Sequence, residues 1–242
     1  MIPIFVISSD RLKSLKESIQ SYHDYIKADF KIVIIDFGTS YKPTLEYLKH
    51  LEDKGIKVYW NKKISYKGAL NNIRPIIQDY FKTHPKSNYV VTDPDIALDN
   101  VEGDILSVYS HLLESLYEIA TVGPMLRIDD IPDCYPLKNR LLSNSLETVY
   151  NRRRVKTILY KNKVIKYIIV KIDTTFGMRR AGADFWRNKW GARVLSPYAA
   201  RHLDWYLDPK NLTEDQRYYI SHASRRISTW NNVLRRDVKM RI

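Results

Sequence analysis

The feature that most constrains the fold is an alternation of strand-like and helix-like segments that continues from Ile2 to Val122. Short apolar runs are typical of buried strands, and the segments between them carry apolar residues at helical spacing. The strand-like runs are 2–7, 31–35, 56–60, 89–91 and 119–122. Strands that alternate with helices form a mostly parallel sheet covered by helices on both faces. We therefore predict an α/β fold for this half of the chain.

The second half of the chain has a less regular pattern, with several prolines near its start. Two β-branched runs, 155–160 and 164–172, flank a short turn and predict a hairpin. Helical spacing recurs in the segments 137–150, 199–206 and 213–224. Because no linker rich in Gly, Ser or Pro separates the halves, we predict one domain over 1–242 with two functional halves, 1–123 and 124–242.

Composition predicts neither a membrane-spanning segment nor a disulfide. No apolar run approaches the roughly 18 residues of a membrane span, and the apolar start lacks the basic residues and cleavage site of a signal peptide. The single cysteine, Cys134, excludes an internal disulfide and a multi-cysteine zinc site. Together these features predict a soluble, cytoplasmic protein.

The positive charge is concentrated in one region. The chain carries a formal net charge of +13, and 151–180 holds ten Lys or Arg residues against one acid, Asp173. A basic patch of this kind could bind nucleic acid, an anionic membrane surface or a phosphorylated substrate. It is equally compatible with a solvated face around the predicted hairpin, so charge alone leaves these alternatives open.

The stretch 88–104 is acidic within this basic chain. Its apolar run ends at Asp93 and Asp95, which a proline separates, and 92–104 contains five acids and no Lys or Arg. Carboxylate oxygens bind divalent cations, and α/β sheets bind ligands beyond the carboxyl ends of their strands. A calcium-binding EF-hand loop is disfavoured, because Leu98 stands where that loop needs glycine. We therefore predict a metal-nucleotide site.

The triplet Asp93-Pro94-Asp95 resembles the DxD motif of the GT-A glycosyltransferases, the nucleotide-diphospho-sugar transferases related to family 2. The segment 34–40 is similar to the end of the second strand in that family, where an acid is followed by small polar residues. The segment 67–74 resembles the start of the helix that lies over the nucleotide. The similarity covers almost the whole chain. It implies a GT-A fold, with a mostly parallel central sheet, helices on both faces and a smaller acceptor-side region of hairpin and helices. The first half would bind the nucleotide-sugar and the second half the acceptor.

The resemblance also implies roles for individual side chains. The residues implied to contact the donor are Ser8, Arg11, Asp36, Gly68, Asn72, Asp93, Thr175 and Gly177. A glycine near a helix start lets phosphate approach the exposed amides, which agrees with the role implied for Gly68. The ligands implied for Mn²⁺ or Mg²⁺ are Asp93, Asp95 and His222. Asp204 is implied to be the catalytic base, with Glu214 and Asp215 as the alternatives.

The implied activity is transfer of a sugar from a nucleotide-diphosphate donor, a UDP-sugar foremost, to an acceptor hydroxyl of a glycan. A single base opposite the leaving group gives inversion at the anomeric carbon, although the sequence leaves a retaining route open. No nucleic-acid partner is implied, and the basic region 151–180 would instead hold an anionic acceptor or contact a membrane. Phe37 and Leu203 depart from the family pattern, because many relatives carry acids at these positions.

Three other classes of protein share part of this pattern. A sugar nucleotidyltransferase would carry a glycine-rich basic loop after the first strand, whereas 8–12 contains no glycine. A nucleic-acid-binding protein is compatible with the pI of ≈ 9.6, with the 18 tyrosines and with the arginine run 152–154. Against it, the acidic stretch 92–104 would repel a phosphate backbone unless a metal filled it. A non-catalytic binding module with the same fold is the third alternative.

Overall fold

The strands and helices of the first half follow the predicted alternation. In this computed structural model the described residues are 1–61, 66–149, 154–187 and 189–222, with side chains described at all of these except 66–71 and 144–149. The elements of the first half are β1 (Ile2–Ser8), α1 (Leu12–Tyr25), β2 (Phe30–Phe37), α2 (Lys42–Asp53), β3 (Lys57–Asn61), α3 (Tyr66–Thr83), β4 (Tyr89–Thr92), β5 (Ile96–Ala97), α4 (Ile105–Ser115) and β6 (Thr121–Pro124). The predicted strands correspond to β1, β2, β3, β4 and β6, so the predicted α/β class is confirmed.

The second half contains the predicted hairpin and several elements that were not predicted. Its elements are α5 (Lys138–Val149), β7 (Lys156–Tyr160), β8 (Lys163–Ile172), β9 (Gly177–Arg179), β10 (Lys189–Val194), β11 (Arg201–His202), a 3-10 helix (Leu203–Tyr206) and α6 (Glu214–His222). The prediction of a helix over 199–206 is wrong for its first part, where β11 forms instead. The predicted helices over 137–150 and 213–224 are α5 and α6, and the ends of both predicted ranges lie outside the described residues. No helix within the described ranges is long and apolar enough to cross a membrane.

One nine-stranded sheet crosses both halves of the chain, in the order β3-β2-β1-β4-β9-β6-β10-β8-β7. β8 and β9 run opposite to the other strands, so the sheet is mostly parallel. Ser8 of β1 aligns with Asp36 of β2, and Val6 of β1 aligns with Thr92 of β4. The polar segments that follow β1, β2 and β4 therefore leave the sheet at the same edge.

Alternate side chains of the central strands build a core on each face of the sheet. Ile4 and Val6 belong to the core on one face, whereas Phe5, between them, belongs to the core on the other. This follows from the two-residue period of a strand. Leu15 of α1 packs into the first core and Ile73 of α3 into the second. Full burial of each such side chain stabilises the fold by about 1.5–3 kcal/mol, and the resulting rigid sheet fixes the positions of the polar turns at its edge.

A second, two-stranded sheet ties the second half of the chain to this edge. β11 pairs antiparallel with β5, and His202 lies opposite Ile96. Leu203 N then donates a hydrogen bond to Asp95 O at 2.7 Å. Because β5 begins directly after Asp95, this pairing places the residues that follow His202 beside the end of β4.

Candidate active site

Two buried acids lock together the turns that follow β1 and β2. Asp10, which has a φ of 45°, accepts hydrogen bonds from Ser40 N at 2.5 Å and from Tyr41 N at 2.7 Å. Asp36 accepts a hydrogen bond from Thr39 Oγ1 at 2.5 Å. Burial raises the pKa of Asp36 above its ordinary value, although the hydrogen bonds from its own turn oppose the shift. Asp36, predicted to contact the donor, thus lies at this edge with its carboxylate engaged by the turn.

Asp93 and Asp95 follow β4 at the same edge of the sheet. Asp93 N donates to Thr174 O at 2.8 Å, and Thr174 Oγ1 donates to Asp93 Oδ2 at 2.6 Å. Burial and the negative charges of Asp95 and Asp173 raise the pKa of Asp93 well above its ordinary value. This cluster of acids therefore favours a cation or a proton at Asp93.

Arg11 connects Asp95 to Asp204, the predicted base. Its Nη2 lies 2.9 Å from Asp95 Oδ2 and also contacts Asp204 Oδ1. The side chains of Arg11, Asp95 and Asp204 are almost completely buried, with exposed fractions of 11%, 3% and 6%. The Tyr219 ring covers the guanidinium, with Arg11 Cζ 4.8 Å from the ring centroid. Solvent ions screen such a buried network far less than a surface ion pair.

The shared guanidinium leaves the two carboxylates with different acidities. Burial would raise the pKa of Asp95, but the charges of Arg11 and His202 outweigh burial and hold that pKa below its ordinary value. At Asp204, burial outweighs the opposing charge of Arg11 and the pKa is raised. The charge of Arg11 thus opposes the effect of burial at both carboxylates.

His202 belongs to the same cluster, although it was not predicted from the sequence. Its Nδ1 lies 3.5 Å from Asp95 Oδ2, and its ring stacks on Trp205 with the centroids 4.9 Å apart. The pairing of β11 with β5 brings it there, and hydrophobic periodicity does not reveal such a contact between distant segments. The one signal in the sequence is its position close to Asp204.

The two carboxylates after β4 fit a divalent cation. Asp95 Oδ1 is buried and has no hydrogen-bond partner among the described residues. Mg²⁺ and Mn²⁺ take such oxygen ligands, and one or two carboxylates are enough for Mg²⁺ when water and substrate phosphates complete its shell. In the part of the chain that the structure describes, no group of three His, Cys, Asp or Glu side chains surrounds an ion position. Asp93 and Asp95 are thus two candidate ligands, and the rest of a metal shell would come from water and substrate phosphates.

His222, the third predicted metal ligand, is exposed at the end of α6. Its Nδ1 lies 2.9 Å from both Tyr218 O and Ser221 Oγ, and its ring stacks on Tyr218 with the centroids 4.0 Å apart. The described structure does not group His222 with the carboxylates that follow β4. Its role as a metal ligand stays a prediction.

Three of the residues predicted to contact the donor lie on β1 and α3. Ser8 ends β1 beside Asp36 in register. Its side chain is buried, and among the described residues its Oγ has no hydrogen-bond partner. Gly68 and Asn72 lie in the first turns of α3, which begins at Tyr66. Ser8 therefore places a second unpaired polar atom at the carboxyl edge.

Thr175 and Gly177 were also predicted to contact the donor. Thr175 lies on the segment between β8 and β9 that contacts Asp93, and Gly177 is the first residue of β9. Thr175 Oγ1 donates to Asp173 Oδ1 at 2.5 Å. A Cβ atom on Gly177 would lie 3.1 Å from Thr121 Oγ1, so the absence of a side chain serves close packing at this position. The segment is thereby held firmly against the end of β4.

The alternative bases, Glu214 and Asp215, occupy different environments from Asp204. Asp215 accepts hydrogen bonds from Lys13 N at 2.9 Å and from Thr213 Oγ1 at 2.6 Å, and it thereby fastens the start of α6 to α1. Glu214 is exposed at the same helix start. Of the three, Asp204 is the one whose carboxylate lies in the network with Arg11 and Asp95.

Comparison with known proteins gives structural similarity without a match in sequence. No protein-family model matches the chain, and no curated protein matches it. Among solved structures, it is similar to S. aureus TarS 1–349 in complex with UDP-GlcNAc, with 12% identity and a TM-score of 0.45 over 91% of this chain and 65% of that one. It is also similar to the mannosyltransferase PcManGT from Pyrobaculum calidifontis in complex with GDP-Man and Mn²⁺, with 13% identity and a TM-score of 0.39 over 53% of this chain and 36% of that one.

A third similar structure is glucosyl-3-phosphoglycerate synthase from Mycobacterium tuberculosis in complex with UDP. The identity is 14% and the TM-score 0.34, over 62% of this chain and 52% of that one. This chain spans less than two thirds of the length of each of the three proteins. Similarity of this extent does not establish an activity.

Proposed function

We propose that this chain is a metal-dependent glycosyltransferase that moves a sugar from a nucleotide-diphosphate donor to an acceptor hydroxyl. UDP-sugars are the donors, and glycans the acceptors, to be tested first. The observation that carries the proposal is the convergence of Asp93, Asp95 and Asp204 at the carboxyl edge of a mostly parallel sheet, where the buried Asp95 Oδ1 has no hydrogen-bond partner among the described residues. Sheets of this type bind ligands at that edge. The halves 1–123 and 124–242 are proposed to act as one GT-A domain.

Asp93 and Asp95 are proposed to hold Mn²⁺ or Mg²⁺ through their carboxylate oxygens. When bound, the ion supplies neutralisation of the negative charge on the diphosphate leaving group. The lowered pKa of Asp95 keeps this carboxylate ionised, as a metal ligand must be. Thr174 fixes Asp93 beside it through two hydrogen bonds. His222 is proposed as a further ligand on the family resemblance alone.

Asp204 is proposed to accept the proton of the acceptor hydroxyl as its oxygen attacks the anomeric carbon. The electron pair of the new C–O bond comes from the acceptor oxygen, and the pair of the broken bond leaves with the nucleoside diphosphate. Burial raises the pKa of Asp204, which makes it a stronger base than an exposed aspartate. A single base on the face opposite the leaving group gives inversion, which is the stereochemistry that we propose.

The proposal is tested by turnover of a panel of nucleotide-sugars with simple glycosides as acceptors. We expect one donor class to release its nucleoside diphosphate, and we expect EDTA or Asp95→Asn to abolish the release. Asp53→Asn is the matched control, because Asp53 is an exposed carboxylate at the C-terminal end of α2, which leads to the start of β3 and not to the carboxyl ends of the strands, and it should turn over like the wild type. Release that is unaffected by EDTA and by Asp95→Asn would contradict a metal-dependent reaction at this edge.

The β7–β8 hairpin is proposed to contact an anionic membrane. Leu159 and Val164 are cross-strand neighbours, and each is 63% exposed. Lys161 and Lys166, close to them in the hairpin, are also exposed, and 154–172 contains no acidic residue. Exposed apolar side chains among lysines are typical of surfaces that enter the headgroup region of an anionic bilayer.

Cosedimentation with vesicles tests this contact. The wild-type protein should bind vesicles of phosphatidylserine and phosphatidylcholine at low salt and lose binding as salt is added. The double variant Leu159→Ser/Val164→Ser should bind less at every salt concentration. Equal binding to vesicles of phosphatidylcholine alone, or no effect of the double substitution, would overturn the proposed membrane contact and leave the proposed reaction untouched.

A further inference from the structure

Arg11 gives the proposed site an internal cation. One nitrogen atom, Nη2, contacts both Asp95 Oδ2, at 2.9 Å, and Asp204 Oδ1. The side chain is 11% exposed, and the Tyr219 ring covers its guanidinium. The guanidinium therefore interacts with these two carboxylates and is largely shielded from solvent.

A divalent ion at Asp95 would share that carboxylate with the guanidinium. Asp95 Oδ2 is already engaged by Arg11, whereas Oδ1 has no hydrogen-bond partner among the described residues. Two cations on one carboxylate repel each other, and the repulsion is strong in a buried site that water screens poorly. Arg11 thus reduces the negative charge that an incoming ion meets at Asp93 and Asp95.

We propose that Arg11 is an internal counter-ion that keeps Asp93 and Asp95 from binding a divalent ion tightly until a nucleoside diphosphate is present. This inference rests on the proposed function, because the diphosphate supplies the negative charge that offsets both cations. Metal and nucleotide then favour each other's binding by the same factor, as thermodynamic linkage requires. The same guanidinium holds Asp204 beside Asp95 while the donor is absent, which makes Arg11 a positioning residue for the base.

The size of the effect follows from the contact between Arg11 and Asp95. An opposite charge at such a distance changes the equilibrium between a carboxylate and a proton by about 10–1,000-fold. Another cation that competes for the same carboxylate should respond in the same direction. We therefore expect Arg11→Met, which keeps much of the side-chain length and removes the charge, to tighten Mn²⁺ binding to the nucleotide-free protein by about tenfold or more.

Mn²⁺ titrations followed by the electron paramagnetic resonance signal of free Mn²⁺ measure this affinity without any turnover. Arg11→Lys, which keeps the charge, should bind Mn²⁺ as weakly as the wild type. The double variant Arg11→Met/Asp95→Asn should lose the tighter Mn²⁺ binding of Arg11→Met, which would show that the ion binds at Asp95. Arg201→Met is the matched control for loss of an arginine, since Arg201 pairs with Asp99 and Glu17 instead, and its Mn²⁺ affinity should equal that of the wild type.

Equal or weaker Mn²⁺ binding by a folded Arg11→Met protein would overturn the inference. If circular dichroism shows that this variant is unfolded, Mn²⁺ binding by the wild-type protein with and without UDP tests the inference instead. The inference is supported if UDP increases the affinity of the protein for Mn²⁺, after correction for the Mn²⁺–UDP complex in solution. It is contradicted if the Mn²⁺ affinity is the same with and without UDP. Failure of every nucleoside diphosphate to bind would instead overturn the proposed function, whereas metal-linked nucleotide binding without an effect of Arg11→Met overturns the inference alone.

Discussion

Asp204→Asn is the substitution that separates the proposed chemistry from donor binding. Asparagine keeps the size of the side chain and an oxygen that can accept a hydrogen bond from Arg11, but it cannot act as a base at neutral pH. In the variant, Arg11 keeps its other partner, Asp95, which lies 2.9 Å from its Nη2. We therefore expect the fold and nucleotide binding to change little, while turnover loses its proton acceptor.

The expected loss of turnover is about 10²–10⁴-fold, the usual contribution of a positioned general base. This loss corresponds to about 3–5 kcal/mol in activation free energy. Initial rates of nucleoside diphosphate release at saturating donor measure it, and the Tm of each protein with and without donor reports binding in parallel. Asp53→Asn should match the wild type in both assays. If Asp204→Asn turned over at the wild-type rate, Asp204 would not be the base, and Asp215 would be the next candidate.

Two further predictions concern stability. Gly191→Ala should destabilise the protein by about 1–3 kcal/mol, as overpacking does, because its Cβ would lie 2.3 Å from Thr121 O; an unchanged urea midpoint would contradict this packing. Burial would raise the pKa of Asp104, but hydrogen bonds from Lys163 and Tyr198 outweigh it and hold the pKa below its ordinary value. The resulting stability is complete above the unfolded pKa of about 3.9 and is lost as the pH falls through the lower folded pKa. Asp104→Asn should therefore flatten the acid side of a plot of Tm against pH, and an unaltered plot would refute the assignment.

The parallel strands of the first half and the β7–β8 hairpin follow from local sequence patterns, whereas β9 and β11 do not. β1, β2 and β4 are covered on both faces, so each is an apolar run that is easily identified. β9 places Arg179 in the core, where Nη1 donates to Gly177 O at 2.8 Å, and no hydrophobic pattern marks such a strand. Arg201 and His202 form a strand because β5 is available as a partner. That tertiary contact overrides the helical spacing of the segment.

The residue types of the candidate site could be predicted, but not their network. Asp93 and Asp95 stand out because acids directly follow a buried strand in a basic chain. The family resemblance implied that Arg11 lies near the nucleotide, whereas its contact with Asp204 joins positions 193 residues apart and leaves no local signal. His202 reaches the site through the same long-range pairing. Sequence pattern reports which segments are strands, and the register between distant segments decides which side chains meet.

The central claim is that Asp93 and Asp95 bind a nucleoside diphosphate through a divalent ion. Thermal unfolding with UDP, GDP, CMP and dTDP compounds, each with and without Mn²⁺, tests it most directly in the wild type and in Asp95→Asn. A ligand that binds only the native state stabilises it by about 2.7 kcal/mol at a concentration of 100 times Kd. We predict a rise in Tm for one nucleotide that requires Mn²⁺ and disappears in Asp95→Asn. An equal rise without Mn²⁺ or in Asp95→Asn, or no rise with any nucleotide, would contradict the claim.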